Sequence, residues 1–152
     1  MALPEIADLI ADSADELVRV WVQAVRADEG IRSDADLTDG GLIDHVPVMI
    51  EEVSEALRTG RRPTAENICE ARVHSYTRFR QGYRARDLVR ESSHLRRILL
   101  DHVYERLGGA AQPSSPSLAA YHEAARVINL YLDEEMCYGV SIYTEELTTL
   151  PN

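Results

Sequence analysis

The chain has 152 residues, of which 45% are hydrophobic, so it is long enough to form one domain with a sizeable core. Its formal net charge of −10 argues against nucleic acid and against an anionic membrane surface as partners. The sequence contains no lysine, which excludes chemistry that depends on this side chain, such as a Schiff base or the phosphate-binding P-loop.

The N-terminal part of the chain predicts two helices separated by a polar loop. Residues 3–27 carry their apolar side chains largely on one face, and acidic residues crowd the start, where the helix dipole favours negative charge. Residues 28–41 are rich in Asp and Gly, which is typical of a loop. A second helix is expected over residues 42–57, where apolar residues recur at spacings of three and four and Pro47 falls within the first turns.

The central part of the chain predicts two further helices joined by a tight turn. We expect the third helix over residues 65–81, with Thr64 as its N-cap and Gly82 as a left-handed cap at its C-terminal end. The fourth helix is expected over residues 84–107, where the apolar spacing suits the seam of a helical bundle. A pair of glycines, Gly108 and the next residue, ends this helix.

A long final helix is expected over residues 117–147, with a length of roughly 45 Å, more than a compact bundle of this size needs. No stretch of useful length alternates with the period of a strand, and the sequence shows neither an internal repeat nor a second domain. The sequence therefore predicts an all-α, single-domain helical bundle of four to five helices over residues 1–152. We expect it to be globin-like or similar to a four-helix bundle, with a long C-terminal helix.

The sequence also favours a cytoplasmic location. No apolar run approaches the roughly 18–20 residues of a membrane-spanning helix, and the acidic N-terminus does not resemble a signal peptide. In this reducing compartment, Cys69 and Cys137 are expected to remain free and to pack as small apolar residues in the core.

Five charged or aromatic residues around the turn between the third and fourth helices are the strongest candidates for a functional site. His74 and Arg78 lie one helical turn apart and project from the same face, and Tyr83 follows the turn, with Glu91 and Arg96 on the next helix. These residues can form one buried charged network, which must be fully paired because an isolated buried charge costs several kcal/mol. The alternative is a set of surface ion pairs worth about 0–1 kcal/mol each.

Other chemistry is only weakly indicated, so we expect no enzyme activity, no metal and no cofactor. The histidines lack the close His/Glu spacing of a metal site in a bundle, and no nucleophile, base and orienting group stand together. The segments around His94 and His122 keep histidine phosphotransfer open as an alternative. Adjacent carboxylates point about 100° apart on a helix and are expected to lie on solvated faces. These pairs are Glu51-Glu52, Glu134-Glu135 and Glu145-Glu146.

The pattern AxxHxxxRxxxGYxxxDLVREssxL, which runs from Ala71 to Leu95, resembles the N-terminal domain of RsbRD-type RsbT co-antagonist proteins. The same type of domain occurs at the N-terminus of many bacterial sensor histidine kinases. Residues 43–47 (IDHVP) and Trp21 also resemble positions of this family, and the likeness covers about residues 3–148. The resemblance implies a haem-free, globin-like input domain upstream of a kinase or STAS-type output. Signalling would then be a population shift between two helix packings.

From this resemblance we expect a non-enzymatic sensory or partner-binding input domain of bacterial signal transduction. We expect a homodimer through the first and last helices, since Leu130, Val140 and Leu147 are predicted to be exposed. One alternative is a sensor that binds a small molecule or haem in a pocket lined by aromatic side chains. The candidates for this lining are Trp21, Tyr76, Phe79, Tyr121, Tyr131 and Tyr138. A second alternative is a histidine phosphotransfer or dimerisation module.

Overall fold

The computed structural model describes residues 1–61, 64, 68–109 and 115–149, and their side chains except those of residues 115 and 146–149. Its helices are α1 (Leu3–Asp12), α2 (Ala14–Ala27), α3 (Asp39–Ile43), α4 (Val46–Thr59), α5 (Cys69–Arg80), α6 (Ala85–Arg106) and α7 (Ser115–Thr149). The described residues contain no strand, so the predicted all-α bundle with a long C-terminal helix is confirmed. Within the same residues, no helix has the length and apolarity needed to cross a membrane.

The core forms where the apolar faces of the helices meet. α1 packs along α4, α2 packs against α6, and α7 contacts α4, α5 and α6. α4 buries side chains at spacings of three and four, including Met49, Ile50, Val53 and Leu57, which places them on one inward face. This interior continues across the bundle to Ile128 and its neighbours on α7. One shared core therefore holds the helices together.

The predicted first helix is two helices, because the chain leaves the helical conformation at Ser13. This residue has φ −100° and ψ 9°, and α2 starts directly after it. The side chains of Asp12 and Ser13 are of the kind that compete with helical hydrogen bonding, so they favour a helix end. The apolar stripe continues across the break, and this explains why periodicity alone joins the two segments.

The predicted loop over residues 28–41 contains the start of the short helix α3, and the predicted second helix begins later than expected. Thr38 caps α3, since its hydroxyl accepts a hydrogen bond from the Gly41 N–H at 3.1 Å. Asp44 follows α3 with φ 45° and ψ −117°, and a conformation of this kind costs a residue other than glycine about 1–3 kcal/mol. The kink at Asp44 delays α4 to Val46.

The turn between α5 and α6 agrees with the sequence prediction. Gly82 has φ 74°, and the Tyr83 N–H donates to the Arg78 carbonyl at 2.9 Å, as in a left-handed helix cap. Gly108, which follows α6, also has a positive φ. The predicted start of the third helix at residues 65–67 lies outside the described residues. The backbone groups that Thr64 would cap belong to this segment.

α7 has 35 residues, which corresponds to a length of about 52 Å. Its backbone approaches α5 and α6 closely at Gly139. A Cβ atom there would lie 3.0 Å from Leu88 Cδ2 and 3.3 Å from Ser75 Oγ. Glycine therefore allows a separation between helices that a larger residue would increase.

The two cysteines and the apolar residues of α7 that were expected to be exposed differ in how far they agree with the sequence prediction. Cys69 and Cys137 are free but exposed, so their predicted place in the core is wrong. Both lie on outward faces, one at the start of α5 and one on α7. Val140 is exposed as expected, Leu130 is half-buried, and the side chain of Leu147 lies outside the described residues.

Candidate functional site

α5 differs from its neighbours because polar side chains occupy much of its inward face. Its buried residues are Ala71, His74, Ser75 and Arg78. Opposite them, α6 buries Glu91 and the serine that follows it. Buried charges are stable only when they are paired and hydrogen-bonded, so this helix pair must contain a closed set of ionic contacts.

Glu91 is the centre of this set, which we call the charge cluster: His74, Arg78, Glu91 and Asp44. The Glu91 carboxylate accepts hydrogen bonds from His74 Nε2 at 2.7 Å and from Arg78 Nε at 2.9 Å. Each of these three side chains is at most 2% exposed. In addition, the indole N–H of Trp21 donates to the Glu91 carbonyl at 3.0 Å, which connects α2 to the cluster.

His74 lies between two carboxylates. Its second ring nitrogen, Nδ1, is 3.2 Å from Asp44 Oδ2. Burial disfavours the charged ring, but the hydrogen bonds to Asp44 and Glu91 outweigh it and raise the pKa of His74 to about 9. Burial likewise opposes charge on the two carboxyl groups, yet their contacts with His74 and Arg78 lower the pKa of both. At neutral pH this arrangement favours an imidazolium that donates from both nitrogens.

Arg78 connects the cluster to the end of α3. Its guanidinium donates to the carbonyl of Gly41 at 3.1 Å, to the carbonyl of Leu42, and to Gln81 Oε1 at 2.8 Å. The guanidinium carbon also lies 4.9 Å from the centre of the Tyr83 ring, within the range of a cation–π contact. The carbonyls at the end of a helix have no partner within the helix, so Arg78 stabilises α3 from outside.

Tyr83 closes one side of the cluster and connects it to α7. Its hydroxyl is buried and has no hydrogen-bond partner among the described residues, and burial together with the nearby charge of Glu91 raises its pKa. Its carbonyl accepts a hydrogen bond from the hydroxyl of Tyr143 on α7. Phe79 and Tyr143 meet edge to face at 5.2 Å beside this contact.

Of the five residues predicted from the sequence, the structure brings His74, Arg78, Tyr83 and Glu91 together and leaves Arg96 outside. Arg96 binds Asn129 Oδ1 and Asp133 Oδ1 on α7, each at 2.7 Å. Five residues separate Glu91 from Arg96, so the two side chains do not lie directly above one another on α6. The geometry therefore corresponds to the buried network for four of the residues, and to an ion pair at the surface for Arg96.

The sequence prediction missed two carboxylates at this site. Asp44 is held there by the backbone kink after α3, which no periodicity indicates. Glu135 was expected on a solvated face, but it is 1% exposed and accepts a hydrogen bond from Ser92 Oγ at 3.1 Å. A signal for Glu135 was present, because it lies seven residues after Ile128 and four before Gly139, in line with the inward face of α7.

A small cavity lies beside Glu135 and the charge cluster, with a volume of about 10 Å³. This is close to the minimum for a single water molecule. Its lining is Trp21, Val46, Met49, His74, Glu91, Ser92, Leu95 and Glu135. The cavity beside the cluster therefore has room for about one water molecule.

Glu52 is a second carboxylate that is not on a freely solvated face. It accepts hydrogen bonds from the backbone N–H groups of Glu70 at 3.0 Å and Ala71 at 3.2 Å, which are the first turn of α5. It also accepts one from the hydroxyl of Tyr131 at 2.8 Å. A side chain of α4 thus caps α5 and connects both helices to α7.

We expect Glu52→Ala to lower the free energy of unfolding by about 1–3 kcal/mol, since it removes a helix cap and leaves the buried Tyr131 hydroxyl without this acceptor. Urea unfolding followed by circular dichroism measures the loss. Glu51→Ala, at an exposed neighbouring position, is the matched control and should change stability by less than about 0.5 kcal/mol. Equal losses for the two variants would contradict the capping role.

Asp28 is the centre of a separate polar cluster between α2 and α6. Arg90 contacts it through two nitrogens at 2.7 and 3.1 Å, and His94 Nε2 lies 2.6 Å from it. These partners hold the pKa of the Asp28 carboxyl well below its usual range. The second nitrogen of His94 contacts Arg97, so both ring nitrogens that a phosphotransfer histidine would use are engaged. His122, the other candidate, is exposed on α7.

The aromatic residues proposed as a pocket lining do not converge. Trp21 and Tyr131 are buried in the core, whereas Tyr76 is 48% exposed. Tyr138 stacks against the guanidinium of Arg72 at 4.5 Å on an outer face. Across the described residues, no group of three or more His, Cys, Asp or Glu side chains is arranged to hold a metal ion.

Comparison with known protein families gives a match over most of the chain. Residues 15–150 match the model of the family described as the RsbT co-antagonist protein rsbRD N-terminal domain. No curated protein and no solved structure matches the chain. The match begins at the second residue of α2, includes α3 to α7, and contains every member of the charge cluster. The chain therefore belongs to the family of RsbT co-antagonist rsbRD N-terminal domains.

Proposed function

We propose that this chain is a non-enzymatic, cytoplasmic input domain of bacterial stress-response signalling, which senses a signal or binds a partner and passes its state to a kinase or STAS-type output. The observation that carries the proposal is the enclosed charge cluster. It joins α5, α6 and the turn after α3, and Tyr83 extends it to α7. Groups this deeply buried do not meet a substrate, but they stabilise one packing of the helices against another.

A homodimer is part of this proposal, with an interface that differs in part from the one predicted. Four of the nine large exposed hydrophobic residues of the described chain lie on α6 and α7, namely Val89, Tyr104, Leu118 and Val140, and the others are spread over the N-terminus, α2, α4 and α5. Tyr104 and Tyr121 also meet edge to face at 5.9 Å across these helices. We therefore propose a dimer contact on α6 and α7, which keeps the last helix of the predicted interface and uses α6 in place of the first helix. Sedimentation that shows only monomer at high micromolar concentration would contradict it.

The signalling role is tested by changing the cluster without removing its charge. Arg78→Lys keeps the positive charge but loses the planar guanidinium that binds the carbonyls of Gly41 and Leu42 in α3. In the host bacterium, we expect this variant to change the basal transcription of stress-response genes several-fold, at an unchanged level of the protein. Arg58→Lys alters a surface pair with Asp8 and serves as the matched control, with no expected change.

One result with Arg78→Lys would contradict the proposed signalling role. If Arg78→Lys alters hydrogen exchange around residues 39–45 while transcription under stress and at rest stays as in the wild type, the domain is not an input for this response. Circular dichroism of the purified variant verifies that its helices are intact.

A further inference from the structure

The charges around Glu91 are balanced before Glu135 is considered. His74 and Arg78 supply two positive charges, and Asp44 and Glu91 supply two negative ones, each within 3.2 Å of a partner. Glu135 is a further carboxyl group beside this neutral set. Within the described residues it has no ion-pair partner within 4.0 Å, and its hydrogen bond comes from the neutral hydroxyl of Ser92. Ionised Glu135 would therefore be a surplus negative charge.

The surroundings of Glu135 do not solvate such a charge well. The residues that α2 and α4 contribute to the walls of the adjoining cavity are all uncharged: Trp21, Val46 and Met49. Charged groups on two helices influence Glu135. His74 on α5 and Arg96 on α6 favour its ionised form, whereas Glu91 on α6 opposes it. Glu52, on α4, faces the same region through its bond to the Tyr131 hydroxyl. Burial is the largest influence and raises the pKa of Glu135 to about 7.

We propose that Glu135 is a proton-binding site that couples the surrounding pH to the packing of α7 against α5 and α6. When Glu135 is protonated, it adds no charge to the balanced cluster. α7 then keeps its close approach to Leu88 and Ser75 at Gly139, one turn along the helix. Loss of the proton leaves a buried, unpaired charge that is relieved when water enters the small cavity and α7 separates from α6. The proton is released to solvent, and no other reactant is needed.

Proton binding by Glu135 would supply pH as the signal of the proposed input domain. Only this physiological meaning rests on the proposed function, because proton binding itself does not require it. The tests of the two can fail separately. Proton binding is measured on the purified chain, whereas the role in signalling is measured by transcription in the cell.

The single tryptophan of the chain is a built-in probe of this site, since Trp21 lines the same cavity as Glu135. In the wild type, we expect Trp21 emission to change along one sigmoidal curve between about pH 5.5 and about pH 8, with its midpoint near 7. Glu135→Gln, a neutral variant of the same shape, should remove this transition. Glu123→Gln removes an exposed carboxylate from the same helix and should leave the transition in place.

Two results would overturn the proposal. One is a wild-type emission that stays constant over this range, and the other is a transition that persists unchanged in Glu135→Gln, which would assign it to a histidine. If the Gln variant does not fold, ¹³C NMR of the side-chain carboxyl groups in the wild type decides the question. A glutamate signal that titrates near pH 7 supports the site, and titration of every glutamate near its ordinary pKa refutes it.

Discussion

Glu91→Ala is expected to lower the free energy of unfolding by about 3–5 kcal/mol, because it leaves two buried cations without their shared carboxylate. Glu91 receives hydrogen bonds from both His74 and Arg78, and it is 1% exposed. Solvent therefore does not replace the lost partner. Urea unfolding near pH 7, followed by circular dichroism, measures the loss.

The matched control for Glu91→Ala lies on the same helix. Glu105→Ala removes an exposed carboxylate from α6 and should cost less than about 0.5 kcal/mol. Adding Arg78→Met to Glu91→Ala removes one unpaired cation, so the double variant should lose less than the sum of the two single losses. Additive losses would mean that Arg78 and Glu91 are not energetically coupled.

The wild-type protein is expected to lose stability as the pH rises from about 7 to about 9, by about 2 kcal/mol in total. His74 has an ordinary pKa of 6.5, and its contacts with Asp44 and Glu91 raise the pKa to about 9 in the folded protein. A group that binds its proton more tightly when folded stabilises the protein fully below its unfolded pKa. This stabilisation is lost as the pH approaches the folded pKa.

Glu135 contributes in a lower range of pH. Its pKa rises from 4.5 to about 7 on folding, so most of its own loss of stability falls between these values, and the small remainder is lost by about pH 8. The larger part of the decline above pH 7 therefore belongs to His74. Unfolding curves at several pH values should show this decline in the wild type and in His122→Asn, whose ring is exposed on α7. They should show a much smaller decline in His74→Asn, and an equal decline in all three would refute the assignment.

Local sequence rules predict the helices that are long and strongly periodic. α6 and the extent of α7 follow from apolar spacing, and the αL cap at Gly82 follows from its position after the third helix. The split at Ser13 is not predictable from periodicity, since the apolar face continues across it. The kink at Asp44 is equally hidden, because its φ of 45° occurs without a glycine, at a residue whose side chain contacts His74 from a distant part of the sequence.

The same distinction applies to the candidate site. His74 and Arg78 share a helix face, so the sequence predicts that they act together. Their meeting with Glu91 depends on how α5 and α6 pack, which the sequence leaves open between a buried and a surface arrangement. Glu135 was misjudged because adjacent glutamates are usually solvated. Its position in the register of Ile128 and Gly139 is the stronger indicator.

The outward position of the two cysteines makes the protein suitable for spectroscopy without engineering. Cys69 lies at the first residue of α5, and Cys137 lies on α7 two residues after Glu135. Nitroxide labels on these thiols would report the separation of the two helices by electron paramagnetic resonance. Any rearrangement of α7 relative to α5 then becomes a measurable change in the distance between two spins.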